Sequence, residues 1–278
     1  MNAYIKWAAK AATLWVVLVI AGMAAGMLFH WDVPAAKPEP FDALTASLVV
    51  AGIGAAVMAL LAERSLLRGW RLGLVMAVIL FSVESGLSMI EAAAFNADLK
   101  IPASTLLYGP IAAAIRDAAG GLVIALMWRG DAVEAPLAFH GLWWKPPVIA
   151  ILYIVAYFAA GILIAMQSPA VRAFYAHIPQ ISGQFVLTLQ FCRGLIWCGL
   201  AFMIIRNLRG PAWEKATLTG LTFAALMVSQ LLQPNPFMPW AIRTVHMVEI
   251  GVSNSIFGIV AALVLQAGAK RAPDTSAR

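Results

Sequence analysis

Charge is what this sequence lacks most. Only 12% of its 278 residues are Asp, Glu, Lys or Arg, while 62% are hydrophobic. A soluble domain carries about a quarter charged residues, so this chain lacks the polar surface to cover itself in water. Cysteine is also scarce. Cys192 and Cys198 stand six apart in one apolar run, a spacing that fits neither a zinc pair nor a disulfide framework, and they read as small buried side chains. A Gly-Lys-Ser/Thr phosphate loop, His-Glu-x-x-His and a Gly-x-Ser-x-Gly elbow are all absent, which removes the usual signatures of an ATP motor, a zinc protease and a serine hydrolase. No loop is long enough to be a soluble catalytic domain.

What the chain has instead is long apolar runs. A helix needs about 20 residues to cross a hydrocarbon core of about 30 Å. Runs near that length fall at 11–30, 43–62, 72–96, 103–128, 147–167, 182–205, 216–234 and 239–266. They lack the period-2 alternation of a barrel strand, and only helices or closed barrels satisfy every backbone amide in lipid. The expected fold is all-α: a single transmembrane bundle of about eight spans. Turn chemistry separates them at Pro34, Pro38 and Pro40, Arg68-Gly69, Pro102, Pro146-Pro147, Pro169, Gly210-Pro211 and Pro234-Asn235-Pro236. Lys6 and Lys10 before the first run loosely imitate a secretory signal, but the stretch Ala11–Phe29 is nineteen residues, longer than a signal core. It reads as an uncleaved first helix.

The basic residues orient the bundle. Lys6, Lys10, Arg64, Arg68, Arg71, Arg129, Lys145, Arg206, Arg209, Lys215, Lys270, Arg271 and Arg278 make thirteen on one side, against four (Lys37, Lys100, Arg172, Arg243) on the other. Such a bias places both termini in the cytoplasm, and it explains the formal charge of +6 as topology, with no nucleic-acid partner implied. Trp31, Trp70, Trp128, Trp143, Trp144, Trp213 and Trp240 fall near span ends, where an interfacial belt and contact with membrane lipids are expected. The halves 1–146 and 147–278 read as a 4+4 parallel repeat: the stretch from Arg116 lies over that from Ser253, aligning Asp117 with Asn254 and Gly121 with Gly258.

Ionisable residues inside spans are costly and mark functional sites or buried networks. Span three holds Glu84 and Glu91, whose spacing of seven puts both on one helix face. Span four holds Arg116 and Asp117, span six Gln190 and Arg193, and span seven Gln230. Span eight holds Arg243, His246, Glu249 and Asn254, with His246 and Glu249 sharing a face. At about 1.5 Å per residue, these groups occupy the half of the bundle from the outer interface to the midplane. That distribution predicts a cavity opening outward above an apolar plug. Glu84, Glu91, Asp117 and Glu249 can also neutralise Arg116, Arg193 and Arg243 as a structural network, which leaves one carboxylate over beside a histidine. His177 in the loop between spans five and six is placed to cover the same mouth.

Arg68-Gly-Trp-Arg-Leu, Ile90-Glu91 with Phe95, and the stretch from Pro234 through Arg243, His246, Glu249, Ser253-Asn254 and Gly258 resemble a group of uncharacterised bacterial multi-span membrane proteins with no established activity. The resemblance implies a bacterial inner-membrane protein and assigns no catalytic residue. The leading expectation is a transporter or permease for a small solute or cation, proton-coupled, with Glu91, His246 and Glu249 as an outer site and Glu84, Arg193 and Asn254 at the midplane. The alternative is a metal-dependent intramembrane enzyme acting on a lipid or lipid-linked substrate, in which Glu91, His246 and Glu249 hold a divalent metal. Only a half-match to carboxylate-bridged di-metal bundles supports it, since one histidine is present and Glu-x-x-His is reversed. A non-catalytic subunit of a larger membrane complex is the third.

Overall fold

The computed structural model describes residues 3–29, 39–130, 139–176 and 182–269. Trp31, Pro34, Lys37, Pro38, His177, Lys270, Arg271 and Arg278 lie outside the described residues. Eight helices are long and apolar enough to cross a membrane. They are α1 (Ala3–Met27), α2 (Ala43–Arg64), α3 (Gly69–Ala94), α4 (Ala103–Met127), α5 (Lys145–Leu163), α7 (Gly183–Asn207), α8 (Ala212–Ser229) and α9 (Trp240–Gln266); a short helix, α6 (Pro169–Tyr175), follows α5. No strand occurs among the described residues.

The helices α1, α3, α5 and α8 begin earlier than their apolar runs. α1 starts at Ala3 and α3 at Gly69, because the stems of Lys6, Lys10 and Arg71 follow the apolar surface while their charged ends reach water. α2 is capped by Asp42, whose carboxylate accepts the Thr45 N–H at 2.8 Å. That bond holds the Asp42 carboxyl below its ordinary range. The cap is therefore complete above the unfolded value and is lost as pH falls through the lower folded one.

Contacts at the helix ends fix a strict up-and-down path. At one end, Gly69 N–H meets Trp128 O at 2.8 Å, Lys145 Nζ donates to Leu265 O at 2.9 Å, and Gln266 donates to Ala212 O at 3.1 Å. At the opposite end Phe29 stacks on Tyr108 at 5.0 Å and Phe41 meets Trp240 edge-on at 5.8 Å. The first and last described residues thus share one end of the bundle, the terminal face.

The two sets of four spans pack in the same order. α1 lies against α2 and α4, and α3 against α4; α5 lies against α7 and α9, and α8 against α9. Each α3–α4 or α8–α9 crossing brings backbones together at a glycine. A Cβ at Gly121 would stand 2.6 Å from Gly73 O, and one at Gly258 would stand 2.7 Å from Gly220 Cα. Small residues let helices approach closely where lipid supplies no hydrophobic drive between them. The two sets also meet symmetrically at the terminal face. Leu66 N–H donates to Asn207 O at 2.7 Å, and Arg209 N–H returns to Arg64 O at 2.8 Å, forming a one-residue bridge between Ser65 and Leu208. Gly69 (φ 57°) and Gly210 (φ 109°) then turn each chain into its next helix in a left-handed conformation that a side chain would strain.

The exterior is apolar, with Ile20, Leu74, Leu122, Val155, Ile162 and Ile256 all exposed around the bundle. In water so large a surface would drive association; here it is what membrane lipid covers. One expectation fails at this level. Cys198 is buried but Cys192 is exposed on α7, because a spacing of six on a helix turns the two side chains well away from a common face.

Candidate functional site

The intramembrane polar residues assemble into separate groups, and the local cause is an irregularity in α3. Residues Ser82–Gly86 form a π-turn, which inserts a residue into the helical repeat. Glu84 and Glu91 therefore do not share a face, as seven residues of regular helix would require. Glu84 turns to α4 and Glu91 turns to α7.

In the first group, Glu84 Oε1 meets Arg116 Nη1 at 2.8 Å, and Arg116 Nε meets the neighbouring Asp117 Oδ1 at 2.7 Å. Glu84 is 4% exposed and Asp117 1%. α1 and α2 wall the group with glycines: a Cβ at Gly22 would lie 3.4 Å from Arg116 Cδ, and one at Gly54 would lie 3.5 Å from Glu84 Oε2. Two carboxylates share one guanidinium. Arg116 Nη2 and Asp117 Oδ2 are buried without a hydrogen-bond partner among the described residues, so the charge deficit coincides with unused bonding capacity.

The second group links α3 to α7. Arg193 Nη1 is 3.0 Å from Glu91 Oε1 and 2.8 Å from Gln190 Oε1, while Gln190 Nε2 approaches Glu91 at 3.4 Å. Its guanidinium lies over the Tyr153 ring at 5.7 Å. The Arg193 side chain is 2% exposed and that of Glu91 29%. This pair is balanced in charge and open at its acidic end. Nearby, Gln230 donates to Ser88 Oγ at 2.6 Å, tying the 3-10 turn after α8 to α3.

The third group is a hydrogen-bonded chain. His246 Nδ1 is 2.5 Å from Glu249 Oε2, and His246 Nε2 is 3.1 Å from the hydroxyl of Tyr175 on α6. Burial first, then the carboxylates of Glu91 and Glu249, push the Tyr175 phenol up to about 12. It therefore keeps its proton at neutral pH. A neutral ring that accepts from that phenol at Nε2 carries its own proton on Nδ1 and donates it to Glu249. Glu249 sits against Gly161 of α5, as Arg116 sits against Gly22 of α1, so in each case a glycine makes room for a charged side chain.

Arg243 belongs to none of these. It is fully buried at the start of α9, paired with Glu39 and donating to Gln233 O and, at 3.1 Å, to Leu231 O. It closes the end of α8, where a 3-10 turn leaves carbonyls unpaired. Asn254 is buried on α9, and among the described residues no hydrogen bond or ion pair joins it to the three groups. Sequence reasoning missed Glu39, Tyr175 and Tyr153.

One arrangement expected from the sequence does not form among the described residues. Glu91, His246 and Glu249 do not make a metal triad: no group of three His, Cys, Asp or Glu side chains among the described residues is placed to hold a metal. Arg193 holds Glu91, and both His246 nitrogens are engaged. Glu91 is the most open of the grouped carboxylates, with its side chain 29% exposed. Two shallow hollows of about 270 and 350 Å³, one lined by residues such as Leu142, Cys198 and Phe202 and the other by Tyr4, Trp7 and Leu60, lie apart from these groups.

This fold, with its apolar exterior, defines an integral membrane protein that crosses the bilayer as an all-α bundle. No protein-family model matches the chain, and no curated protein or solved structure is detectably similar to it.

Proposed function

We propose that the protein is a transporter of a small solute or cation, coupled to protons. One observation carries this reading: within the spans, carboxylates outnumber the fixed cations that face them. Glu84 and Asp117 share Arg116, Glu249 faces a histidine that carries charge only when protonated, and Arg243 is committed to Glu39. An ion held in a low-dielectric interior costs several kcal/mol unless it is compensated, so each excess carboxylate has to take up a proton or a cation. Exchange of that positive charge between the two faces is transport. The Tyr175–His246–Glu249 chain supplies a route by which a proton reaches the interior from the face opposite the termini.

The test is proton and cation flux in vesicles holding the purified chain and a pH-sensitive dye, with sodium, potassium or pH gradients imposed in turn. Protein-dependent flux is expected, falling at least tenfold in Asp117→Asn and in His246→Gln but not in Lys100→Gln. Vesicles that hold folded protein and pass neither protons nor cations would remove the coupling.

The same reading puts both termini in the cytoplasm of a bacterial cell, at its inner membrane. The thirteen-to-four basic bias and the resemblance around Arg68, Glu91 and Pro234 support that address. Reporter fusions after Arg68, Lys145, Arg209 and Arg278 should read cytoplasmic, and those near Lys37, Lys100 and Arg172 external. A consistent reversal would overturn the orientation.

A further inference from the structure

Arginines gather where the α2–α3 and α7–α8 connections pair at the terminal face. Arg68 Nη1 donates to Ser65 O at 2.7 Å and Leu67 O at 2.8 Å, and Arg209 Nη2 donates to Glu63 O at 2.7 Å. Neutral carbonyls therefore hold both guanidiniums at the junction. The carboxylates close by are engaged: Glu63 accepts from Trp128 at 2.9 Å and faces Lys10 at 3.9 Å, and Glu214 pairs with Arg64. Among the described residues none of Arg68, Arg71, Arg206 and Arg209 has an ion-pair partner. Burial and then the neighbouring Arg209 lower the Arg68 guanidinium below its ordinary pKa, while Glu63 opposes them as the smallest influence. Like charges are thus kept side by side with no fixed counterion of their own.

The surroundings say what the counterion is. Trp70 and Trp213 stand beside the junction at the starts of α3 and α8, 69% and 67% exposed. Arg71 lies on the Trp70 ring at 5.6 Å and Arg206 on the Phe202 ring at 5.7 Å. Indole rings at span ends sit at the depth of lipid headgroups. A guanidinium offers a planar fork that matches two phosphate oxygens. We propose that this junction binds the phosphodiester of an anionic phospholipid, clamped between the two connections. Each connection contributes an Arg-Gly and a tryptophan, so the lipid bridges the two sets of four helices where they touch. This inference stands apart from transport and survives if no flux is found.

Inorganic phosphate shares the chemistry, so the test separates the two sources. The melting temperature of the full chain in neutral detergent is measured with added phosphatidylglycerol, phosphatidylcholine or inorganic phosphate. Phosphatidylglycerol should raise it at least twice as far as either of the others, and the gain should shrink as sodium chloride is added. Arg68→Gln/Arg209→Gln should abolish the gain. Because those arginines also hold loop carbonyls, Arg71→Gln/Arg206→Gln is the variant that leaves the carbonyl bonds in place, and it should lose half the gain or more. Lys100→Gln, at the other face, should keep all of it. Equal gains from phosphatidylcholine and phosphatidylglycerol, or an undiminished gain in Arg71→Gln/Arg206→Gln, would overturn the proposal. A gain from inorganic phosphate equal to that from phosphatidylglycerol would reassign the site to a soluble anion and overturn the lipid.

Discussion

Replacing Arg116 with leucine is expected to cost the fold about 3–5 kcal/mol, the usual result of removing one partner from a buried ion pair. The two carboxylates left behind are worse placed than in most such cases. Glu84 and Asp117 would face each other across α3 and α4 at 4% and 1% exposure, with no cation between them. Leucine fills much of the space between Gly22 and Glu84 but accepts no charge. Asp117→Asn moves the balance the other way: one carboxylate then faces one guanidinium, shape is kept, and stability should be unchanged or slightly higher. Thermal unfolding in mild detergent, followed by tryptophan fluorescence, reads both. The same Asp117→Asn protein should fail in the flux assay, so stability and transport separate in a single variant. Equal destabilisation by Arg116→Leu and Asp117→Asn would show that the group is a balanced structural network, with no excess carboxylate to exploit.

The spans were legible because hydropathy is a property of each segment alone. Any helix that crosses lipid must be apolar over its length, whatever it packs against, and each of the eight runs became a helix. Pairing was not legible, because it depends on rotation about the helix axis. The Glu84 and Glu91 spacing points to one face on a regular helix. The π-turn at Ser82–Gly86 breaks that phase, and nothing in Ser-Val-Glu-Ser-Gly announces it except the clustering of residues with weak helical preference. Arg243 illustrates a second limit. The sequence sets it against the carboxylates inside the spans, yet its carboxylate comes from Glu39, in the connection before α2. A buried arginine at a span start demands an acidic partner from the nearby loops, and that demand was the available signal. Neither Tyr175, two residues before His177, nor Tyr153 carries a charge or belongs to a motif that marks it. The residues that bind His246 and Arg193 were thus present in the sequence without any pattern to tie them together.

The glycine crossings carry the other large expected effect, and Gly258→Leu tests it most severely. An exposed glycine in a helix gains about 1 kcal/mol when it becomes alanine, because the chain loses less entropy on folding. Gly199 on α7 has open space around its missing Cβ, so Gly199→Ala should be neutral or stabilising. At Gly258 the new Cβ would stand 2.7 Å from Gly220 Cα and 2.9 Å from Phe223 Cδ2. The first of these is backbone and cannot rotate away, so α8 and α9 have to move apart. Overpacking of this kind costs about 1–3 kcal/mol and occasionally more, which outweighs the propensity gain. Gly258→Ala should therefore destabilise, and Gly258→Leu should leave little folded protein after detergent extraction. Gly121→Ala, facing Gly73 O at 2.6 Å in the α3–α4 crossing, should behave like Gly258→Ala. Size-exclusion profiles of fluorescent fusions rank all four variants. If Gly258→Ala and Gly121→Ala ran as sharply as Gly199→Ala, the close approach of backbones would be absent and the shared architecture of the two crossings would fall with it. Movement at α8–α9 also has a functional consequence, since α9 carries His246 and Glu249. A folded but loosened Gly258→Ala protein should lengthen the 3.1 Å Tyr175–His246 contact and lose proton flux out of proportion to its loss of stability.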